Sequence, residues 1–481
     1  MYRKKPVVPN AQSAFSHLFS STFKIISRKN RMMLSEKNHK QSHRRGGNKQ
    51  VGYLDNAAKL KPFKRSVSIV GVGVTPFRLL KDDPRLKHLT EPELFGYAAV
   101  EAMRDAGITG KDVEFFIHGQ AGPGTSNFTT PNIHVANWFG VKGKGSFSHS
   151  EACATGYIAL ELAANMVASG TYDVVLSGGV ETCSTLPFPT KVLCNRERTL
   201  TEAGFHELLC STMDRCYNQF TKGILPTHFE SWLTAYKEDN HLSKEDVDRV
   251  LTRMAINSRY MASINPLSIN HQNYTDRAHE MGFDTAEEFL HSKYNPLMGQ
   301  FMRAANMEER CDGSGAFVVM PTEMAYKYTD HPIEIVAVGH ALVEYSNPMN
   351  ERRGTEIAYQ QVKEFTGLTG ADMDIFMTND FHQPQQLLSA ECCEYLPKGE
   401  GWKYMLEDRC MFTGDRPVQT NGGRCHYGHA AAASGTHDIY EVCMQMRGEA
   451  EAHQIQRPVK YGMLRGFGGG QNLLCIVLKY L

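Results

Sequence analysis

Four short stretches of this 481-residue chain carry side chains that could do covalent chemistry. The first is Ser148-His-Ser-Glu-Ala-Cys153-Ala-Thr-Gly156, which sets a cysteine where a small-residue helix is expected to begin, near Ala154. A thiol at a helix N-terminus faces unpaired amides and the positive end of the dipole, so its thiolate is favoured, and Cys153 is the candidate nucleophile. A buried packing cysteine is the plainer reading of any single Cys. Three further stretches argue against it. Asn379-Asp380-Phe381-His382 follows an apolar strand, where a polar side chain is held at the strand's carboxyl end. Asn421-Gly-Gly-Arg-Cys425-His426-Tyr-Gly428-His429 is a glycine-rich loop that runs through four alanines to Ser434-Gly435, and its glycines let backbone come close to a ligand. Arg465-Gly-Phe-Gly468-Gly-Gly-Gln471 precedes the last strand, as a loop whose amides could face a developing oxyanion. A reactive Cys, a His on a constrained loop, an Asn or His after a strand and glycine-loop amides together point to acyl transfer.

The elements that must position these groups alternate between strand and helix. Ser66 to Val72 reads as a buried strand, Glu91 to Ala106 as an amphipathic helix and Val113 to His118 as a strand. Asn127 to Phe139 is expected as a helix leading into Cys153. Behind Cys153 a helical apolar stripe runs from Ala159 to Val167, Ser169-Gly170 stops it, and a strand follows over Asp173 to Gly179. From about Cys194 to Asn306 the pattern changes to polar helices, Ser243 to Met261 and Thr285 to Lys293 among them, with loops rich in Asn, His and Pro. Strands resume at Ala316 to Met320, Ile333 to Val338, Met373 to Thr378 and Leu473 to Lys479, with helices over Glu356 to Thr366 and Gln385 to Tyr395. The second half repeats the order of the first, so a duplicated α/β core with an inserted helical loop subdomain is expected. The boundaries are a leader at 1–64, a first half at 65–330 holding the insert at 194–306, and a second half at 331–481.

The charge balance is even, 52 Lys and Arg against 52 Asp and Glu, but residues 1–50 hold twelve of the bases and only one acid, Glu36. The other 431 residues are therefore acidic by eleven charges. The leader also has seven serines and an apolar patch of Phe15, Leu18, Phe19, Phe23, Ile25 and Ile26, the composition of a mitochondrial transit peptide. A basic tail that binds phosphates or RNA is the alternative. No nucleic-acid module is present in the sequence, and no stretch approaches the roughly 18 consecutive apolar residues of a membrane span. The twelve cysteines lack paired spacing, which suits a reducing compartment. Lys479-Tyr480-Leu481 is not the Ser-Lys-Leu peroxisomal address, so a peroxisomal or cytoplasmic location is secondary to a mitochondrial one. Gly71 and Gly73 form only a Gly-x-Gly, too little for a dinucleotide fingerprint.

From about residue 65 to 481 the chain resembles the thiolase superfamily, nearest to its sterol-carrier-protein type. Cys153-Ala-Thr-Gly156 is similar to that family's nucleophile motif, and Cys311-Asp-Gly-Ser-Gly-Ala-Phe317 to the segment that closes its first half. Arg259 to Asn270, with Pro266, resembles part of its loop domain, and Gly428-His429 stands where the family has Gly-His-Pro. The resemblance implies two α/β halves in five αβαβα layers. It implies coenzyme A thioesters as substrates, their pantetheine reaching Cys153 through the loop domain, with no permanently bound cofactor. It also implies a homodimer, to be sought around Asp112 to Val141.

Two departures bear on mechanism. Members of the family use a second cysteine as acid and base, in a terminal Cys-x-Gly loop or in His-Asp-Cys-Phe; here those places read Gly466-Phe467-Gly468 and Asn379-Asp380-Phe381-His382. Ala430 also replaces the proline after the active-site His. What remains is a Cys153, His429 and Asn379 set. In it His429 takes the thiol proton or pairs with the thiolate, and the amides of Cys153 and Gly468 hold the oxyanion. Asn379 and His429 bind the second thioester's carbonyl. His382 is the first choice for the missing proton transfer at carbon, ahead of Cys425. Two rival readings are a metal site on Cys425, His426, His429 and His437, whose spacing matches no zinc motif, and a thiolase-like protein that binds acyl-CoA or supports a complex without turning it over.

Overall fold

The computed structural model describes residues 57–121, 130–184, 224–343, 349–469 and 472–481, with the side chains of the helix that starts at 224 described from 230. In chain order the elements are β1 (Val67–Val74), α1 (Glu91–Asp105), β2 (Phe115–Gly119), α2 (Pro131–Val135), β3 (Gly145–His149), α3 (Thr155–Ala168) and β4 (Val175–Thr182). Then come α4 (Ile224–Asp239), α5 (Lys244–Ile264), α6 (Tyr274–Glu280), α7 (Ala286–Leu290), β5 (Asp312–Pro321) and α8 (Thr322–Ala325). The second half has β6 (Ile333–Leu342), α9 (Asn350–Thr366), β7 (Ile375–Thr378), α10 (Gln385–Cys392), α11 (Gly401–Leu406), α12 (Ala431–Arg447), β8 (Tyr461–Gly468) and β9 (Asn472–Tyr480).

Among the described residues the strands hydrogen-bond in the order β3-β2-β4-β5-β1-β6-β9-β8-β7. In the sheet the two halves meet at β1 and β6, through the pairs Ser68 with Glu334 and Ile69 with Ile333. On either side of that seam the plan repeats: β5 and β9 lie antiparallel to the first strand of their half, β4 and β8 antiparallel to those, and the parallel neighbours β2 and β7 follow. Strand alternation sends one set of side chains to each face. Val70, Leu176 and Val318 face α1 on one outer side, while Ala337, Met463 and Val477 face α9 on the other. The inward set, Ile69, Val175, Phe317, Ile335, Leu464 and Ile476, closes over α3 and α12 between the halves. The layers are α1, sheet, α3 with α12, sheet, α9, the five-layer duplicated core expected.

Small residues make the middle layer possible. A Cβ on Gly156 would lie 2.6 Å from the Thr436 nitrogen, and one on Gly179 2.4 Å from the Ala432 carbonyl, so α3 and β4 take α12 in direct backbone contact. The insert is helical as expected where described. In α5 the Ser243 hydroxyl accepts the Asp246 N–H and the Asp246 carboxylate accepts the Ser243 N–H, each at 3.0 Å, which satisfies two of the helix's unpaired donors. Val247, Leu251 and Met254 of α5 pack on the second-half core.

Three expectations change. The helix sought over 127–139 is the single turn of α2, residues 127–129 lying outside the described set, and an edge strand β3 stands between it and Cys153. The strand after the nucleophile helix is displaced to Val175–Thr182 because Gly170 turns left-handed at φ +80° and Thr171 to Val174 complete the turn. Arg465 to Gly468 is not loop but the end of β8, paired with β9 from Tyr461 onward, since Leu464 and Phe467 are buried strand residues; Gly470 and Gln471 lie outside the described set. Among the described residues no helix is long and apolar enough to cross a membrane.

Candidate active site

Cys153 sits in a tight 3-10 turn, Ala152–Ala154, that leads straight into α3. Ala152 takes φ +49°, a left-handed value that costs an L-residue about 1–2 kcal/mol, so the surroundings must hold the turn. They do so at several points. The Ala152 N–H donates to the Ala121 carbonyl and the Ala154 N–H to the Glu151 carbonyl, each at 3.0 Å. The Thr155 hydroxyl donates to the Ala152 carbonyl at 2.7 Å and receives the Glu151 N–H at 3.0 Å. Between these occupied amides, that of Cys153 has no acceptor among the described residues.

His429 is fixed from both sides. Its N–H donates to the Glu309 carbonyl at 2.7 Å, and its carbonyl accepts the Cys311 N–H at 3.2 Å. The preceding Gly428 has φ +130°, and a Cβ there would meet Cys311 Sγ and the Phe77 ring at 2.9 Å, so only glycine can deliver the imidazole. His429 Nε2 lies 3.3 Å from Cys153 Sγ. On the other side, Nδ1 lies 3.0 Å from Ser434 Oγ, which also accepts the Ala430 N–H at 3.1 Å. With one lone pair so used, the other can accept Nδ1–H, which leaves a lone pair on Nε2 facing the thiol, the tautomer a general base needs.

The electrostatics differ from the sequence expectation. Cys153 is half-buried against Ala121, Ala431 and Ala432. Burial and the Glu308 carboxylate push the thiol up to about 12, against the helix and the pull of Arg424. Burial, with the charges of Arg424 and Arg310, holds the His429 imidazole well below its usual range. Desolvation penalises both charged forms and outweighs the helix terminus. The resting pair is a neutral thiol and a neutral base, not a thiolate and an imidazolium.

Gly468 ends β8 directly against this turn: a Cβ there would lie 2.5 Å from the Glu151 carbonyl and 3.0 Å from the Ala154 nitrogen. Asn379 joins the same corner. Its N–H donates to the Arg465 carbonyl at 3.0 Å and its Nδ2 to the Phe467 carbonyl at 2.9 Å, while Oδ1 is buried with no hydrogen-bond partner among the described residues. Such an orphaned acceptor is suited to an ordered water or a ligand donor. Cys153 thus contacts His429 directly, Gly468 abuts the nucleophile's turn, and Asn379 is bonded to Phe467, the residue before Gly468.

His382 stands apart from that link. It is fully buried, with Nε2 3.0 Å from Gln385 Nε2 and 3.8 Å from the Glu351 carboxylate that pairs with Arg465, its ring edge-on to Phe381. None of these contacts reaches Cys153. Cys425 donates its thiol to the Asp380 carbonyl at 3.3 Å, and burial pushes that thiol well above its ordinary range, so it packs under the loop. The residues of the metal alternative are engaged separately, His437 between the Tyr427 hydroxyl and the Ser314 carbonyl and His426 edge-on to Tyr274. Among the described residues no group of three or more ligands could hold a metal ion.

At the two places where the resemblance implies a second cysteine, aromatic rings take up the space. At Gly466 a Cβ would run 2.9 Å from the Tyr157 ring, and Phe381 stacks on Phe467 with centroids 5.0 Å apart. The Tyr157 hydroxyl is bonded to the Asp438 carboxylate and receives an N–H of the buried Arg424 at 2.8 Å. Sequence reading missed Ser434 and this Tyr157, Arg424 and Asp438 cluster. A serine five residues after the histidine was a signal for the first; the second joins residues far apart in the chain and left none.

The family model described as thiolase, N-terminal domain, matches residues 67–323, and that described as thiolase C-terminal domain-like matches 337–478. An acetyl-CoA acetyltransferase of Methanothermobacter thermautotrophicus is 27% identical over 84% of this chain and 97% of its own length. Sterol carrier protein 2 of Homo sapiens is 23% identical over 81% of this chain and 68% of its own. The solved structure of human mitochondrial 3-ketoacyl-CoA thiolase in complex with CoA superposes with a TM-score of 0.61 at 18% identity, covering 87% of this chain and 99% of that one.

Proposed function

Because this chain belongs to the thiolase family, we propose that it transfers acyl groups from coenzyme A thioesters through a covalent acyl intermediate on Cys153. The observation that carries this reading is the 3.3 Å approach of His429 Nε2 to Cys153 Sγ, with a serine behind the imidazole. In the step proposed, the Cys153 proton passes to His429 Nε2 as sulfur attacks the thioester carbonyl. The tetrahedral oxyanion falls between the amides of Cys153 and Gly468, donors worth about 3 kcal/mol each in other acyl-transfer sites. The intermediate collapses by breaking the bond to the coenzyme A sulfur, which leaves with the proton held on His429. The relatives support the substrate class: acetyl-CoA is named for the archaeal enzyme and CoA is bound in the human structure.

The second half-reaction is where the filled slots matter. A thiol acceptor carries a proton that His429 can remove by reversing the first step. A carbon acceptor needs a separate base, a contribution typically of about 100 to 10,000-fold, and the rings of Tyr157 and Phe381 occupy the places of the usual one. This favours acyl exchange between thiols over carbon–carbon chemistry. The high position of the thiol favours a second reading, a protein that binds acyl-CoA and does not turn it over.

Mass spectrometry of the full chain after incubation with acetyl-CoA tests the two. An acyl adduct on Cys153 that vanishes in Cys153→Ala is expected; absence of any adduct sinks covalent catalysis. The basic, serine-bearing leader supports a mitochondrial location, which imaging of a fusion carrying residues 1–64 checks. Exposed Ile133 and Trp138 within the Asp112 to Val141 stretch support a homodimer, which light scattering checks.

A further inference from the structure

A chain of side chains outside the catalytic pair ends on the nucleophile's turn. His340, on β6, is half-buried, with Nδ1 2.9 Å from the Glu161 carboxylate of α3 and Nε2 in short contact with Asn472 Oδ1 of β9. Asn472 Nδ2 in turn donates to the Glu151 carboxylate at 2.9 Å. That bond settles the amide's orientation, since a carboxylate accepts only. Oδ1 must then face His340, so Nε2 carries a proton. Nδ1 faces a second carboxylate and carries one too. A ring that donates at both nitrogens is an imidazolium.

The two ends of this chain hold what acyl transfer needs held. Glu151 opens the Ala152–Ala154 turn, in which Ala152 has φ +49°. Asn472 is the cross-strand partner of Gly468, and Gly468 abuts the Glu151 carbonyl. The bond from Asn472 to Glu151 therefore ties the end of the β8–β9 pair to the turn that carries Cys153. We propose that His340, donating to Glu161 and Asn472 at once, is a positioning residue that sets the spacing of the oxyanion donors. This rests on the acyl-transfer reading above.

The groups that face the ring are Glu161 from α3, Asn472 from β9 and Glu151 beyond it, while Gln361 of α9 accepts the His340 backbone N–H. Lys59 and Lys61 border the cavity that Glu161 lines. Burial alone would lower the imidazole, but its bonds to Glu161 and Asn472, with the charge of Glu151, leave it raised above its ordinary value of 6.5. The cation is present below that ordinary value and is lost as pH rises through the raised one. The clamp weakens on the alkaline side.

The test compares two reactions of Cys153 in the full chain, each followed on its own peptide by mass spectrometry. Acylation by acetyl-CoA needs the oxyanion donors; alkylation by iodoacetamide does not. In the unmodified chain the ratio of the two rates should fall more steeply between pH 6 and 9 than in His340→Gln, because the rise of alkylation with thiol ionisation is common to both chains and only the unmodified one also loses the clamp. In His340→Gln the ratio at pH 7 should drop about tenfold, less than the roughly 100-fold loss of a whole donor, and the extra steepness should vanish. Equal pH slopes in the two chains, or a ratio at pH 7 unchanged in a folded His340→Gln, overturns the inference. If the unmodified chain is alkylated yet never acylated, the functional reading fails and takes this one with it.

Discussion

Substituting Gly468 by alanine tests the site where its tolerance is smallest. The added methyl would stand 2.5 Å from the Glu151 carbonyl oxygen, about 0.9 Å short of an ordinary 3.4 Å contact, and 2.7 Å from the Ala154 Cβ. Both neighbours belong to the nucleophile's turn, and one is backbone, so no side chain can swing aside. The turn and the end of β8 must part by most of an ångström. Overpacking of this kind costs about 1–3 kcal/mol of stability. A misplacement near 1 Å in the reacting geometry costs about 100-fold in rate, and complete loss of one oxyanion donor about 100 to 1,000-fold. We therefore expect Gly468→Ala to melt a few degrees lower and to acylate Cys153 about 100-fold more slowly. Its alkylation by iodoacetamide should stay within about twofold, since that reaction uses no oxyanion donor. Single-turnover mass spectrometry with acetyl-CoA measures the first rate and the same peptide reports the second. If Gly468→Ala folds with unchanged stability and acylates at the original rate, Gly468 does not lie against the turn, and the oxyanion assignment is wrong.

Other consequences follow from the same geometry. Ser434→Ala removes the partner of His429 Nδ1 and leaves the Ala430 N–H unpaired, so kcat for acyl transfer should fall about tenfold with KM little changed, and stability by about 1–3 kcal/mol; steady-state kinetics and chemical denaturation check both. The thiol, raised to about 12, is protonated across the working range, so its thiolate fraction grows with pH. Alkylation of Cys153 should rise steadily from pH 6 to 10, and a plateau near pH 7 would show a pre-formed ion pair instead. Gly466→Cys should not create a second catalytic thiol: its Cβ meets the Tyr157 ring at 2.9 Å, so the variant should lose about 1–3 kcal/mol without gaining condensation activity, as thermal melts and product analysis would report.

The layered core was legible because its signals are local and repeated. Buried runs such as Val67–Val74 and Asn472–Tyr480, and helices with clear caps such as α1 and α5, announce themselves by period and by punctuation. Where the reading slipped, a tertiary effect had replaced a local one. Glycines in β8 look like loop, yet they are there because Tyr157 and Glu151 press on Gly466 and Gly468. The pairing of Cys153 with His429 could be read from residue types at motif spacing, but its charge state could not. Helix position suggests an acidic thiol, whereas burial by Ala121, Ala431 and Ala432, drawn from two separate segments, reverses the sign. The surroundings of His382 were hidden in the same way: Glu351, 3.8 Å from its Nε2, comes from a helix 31 residues earlier in the chain.

The ring of Tyr157 does two jobs whose demands oppose any change at Gly466. Shrinking the ring would make room for a thiol there, but it would also take a hydroxyl from a guanidinium and a carboxylate that have no water to turn to, Arg424 being 2% exposed and Asp438 0%. Widening the hole and keeping the charges satisfied cannot be done in one substitution. Placing a cysteine on that strand would need two or more coordinated replacements on different elements, so Gly466 is held by electrostatics as firmly as by volume.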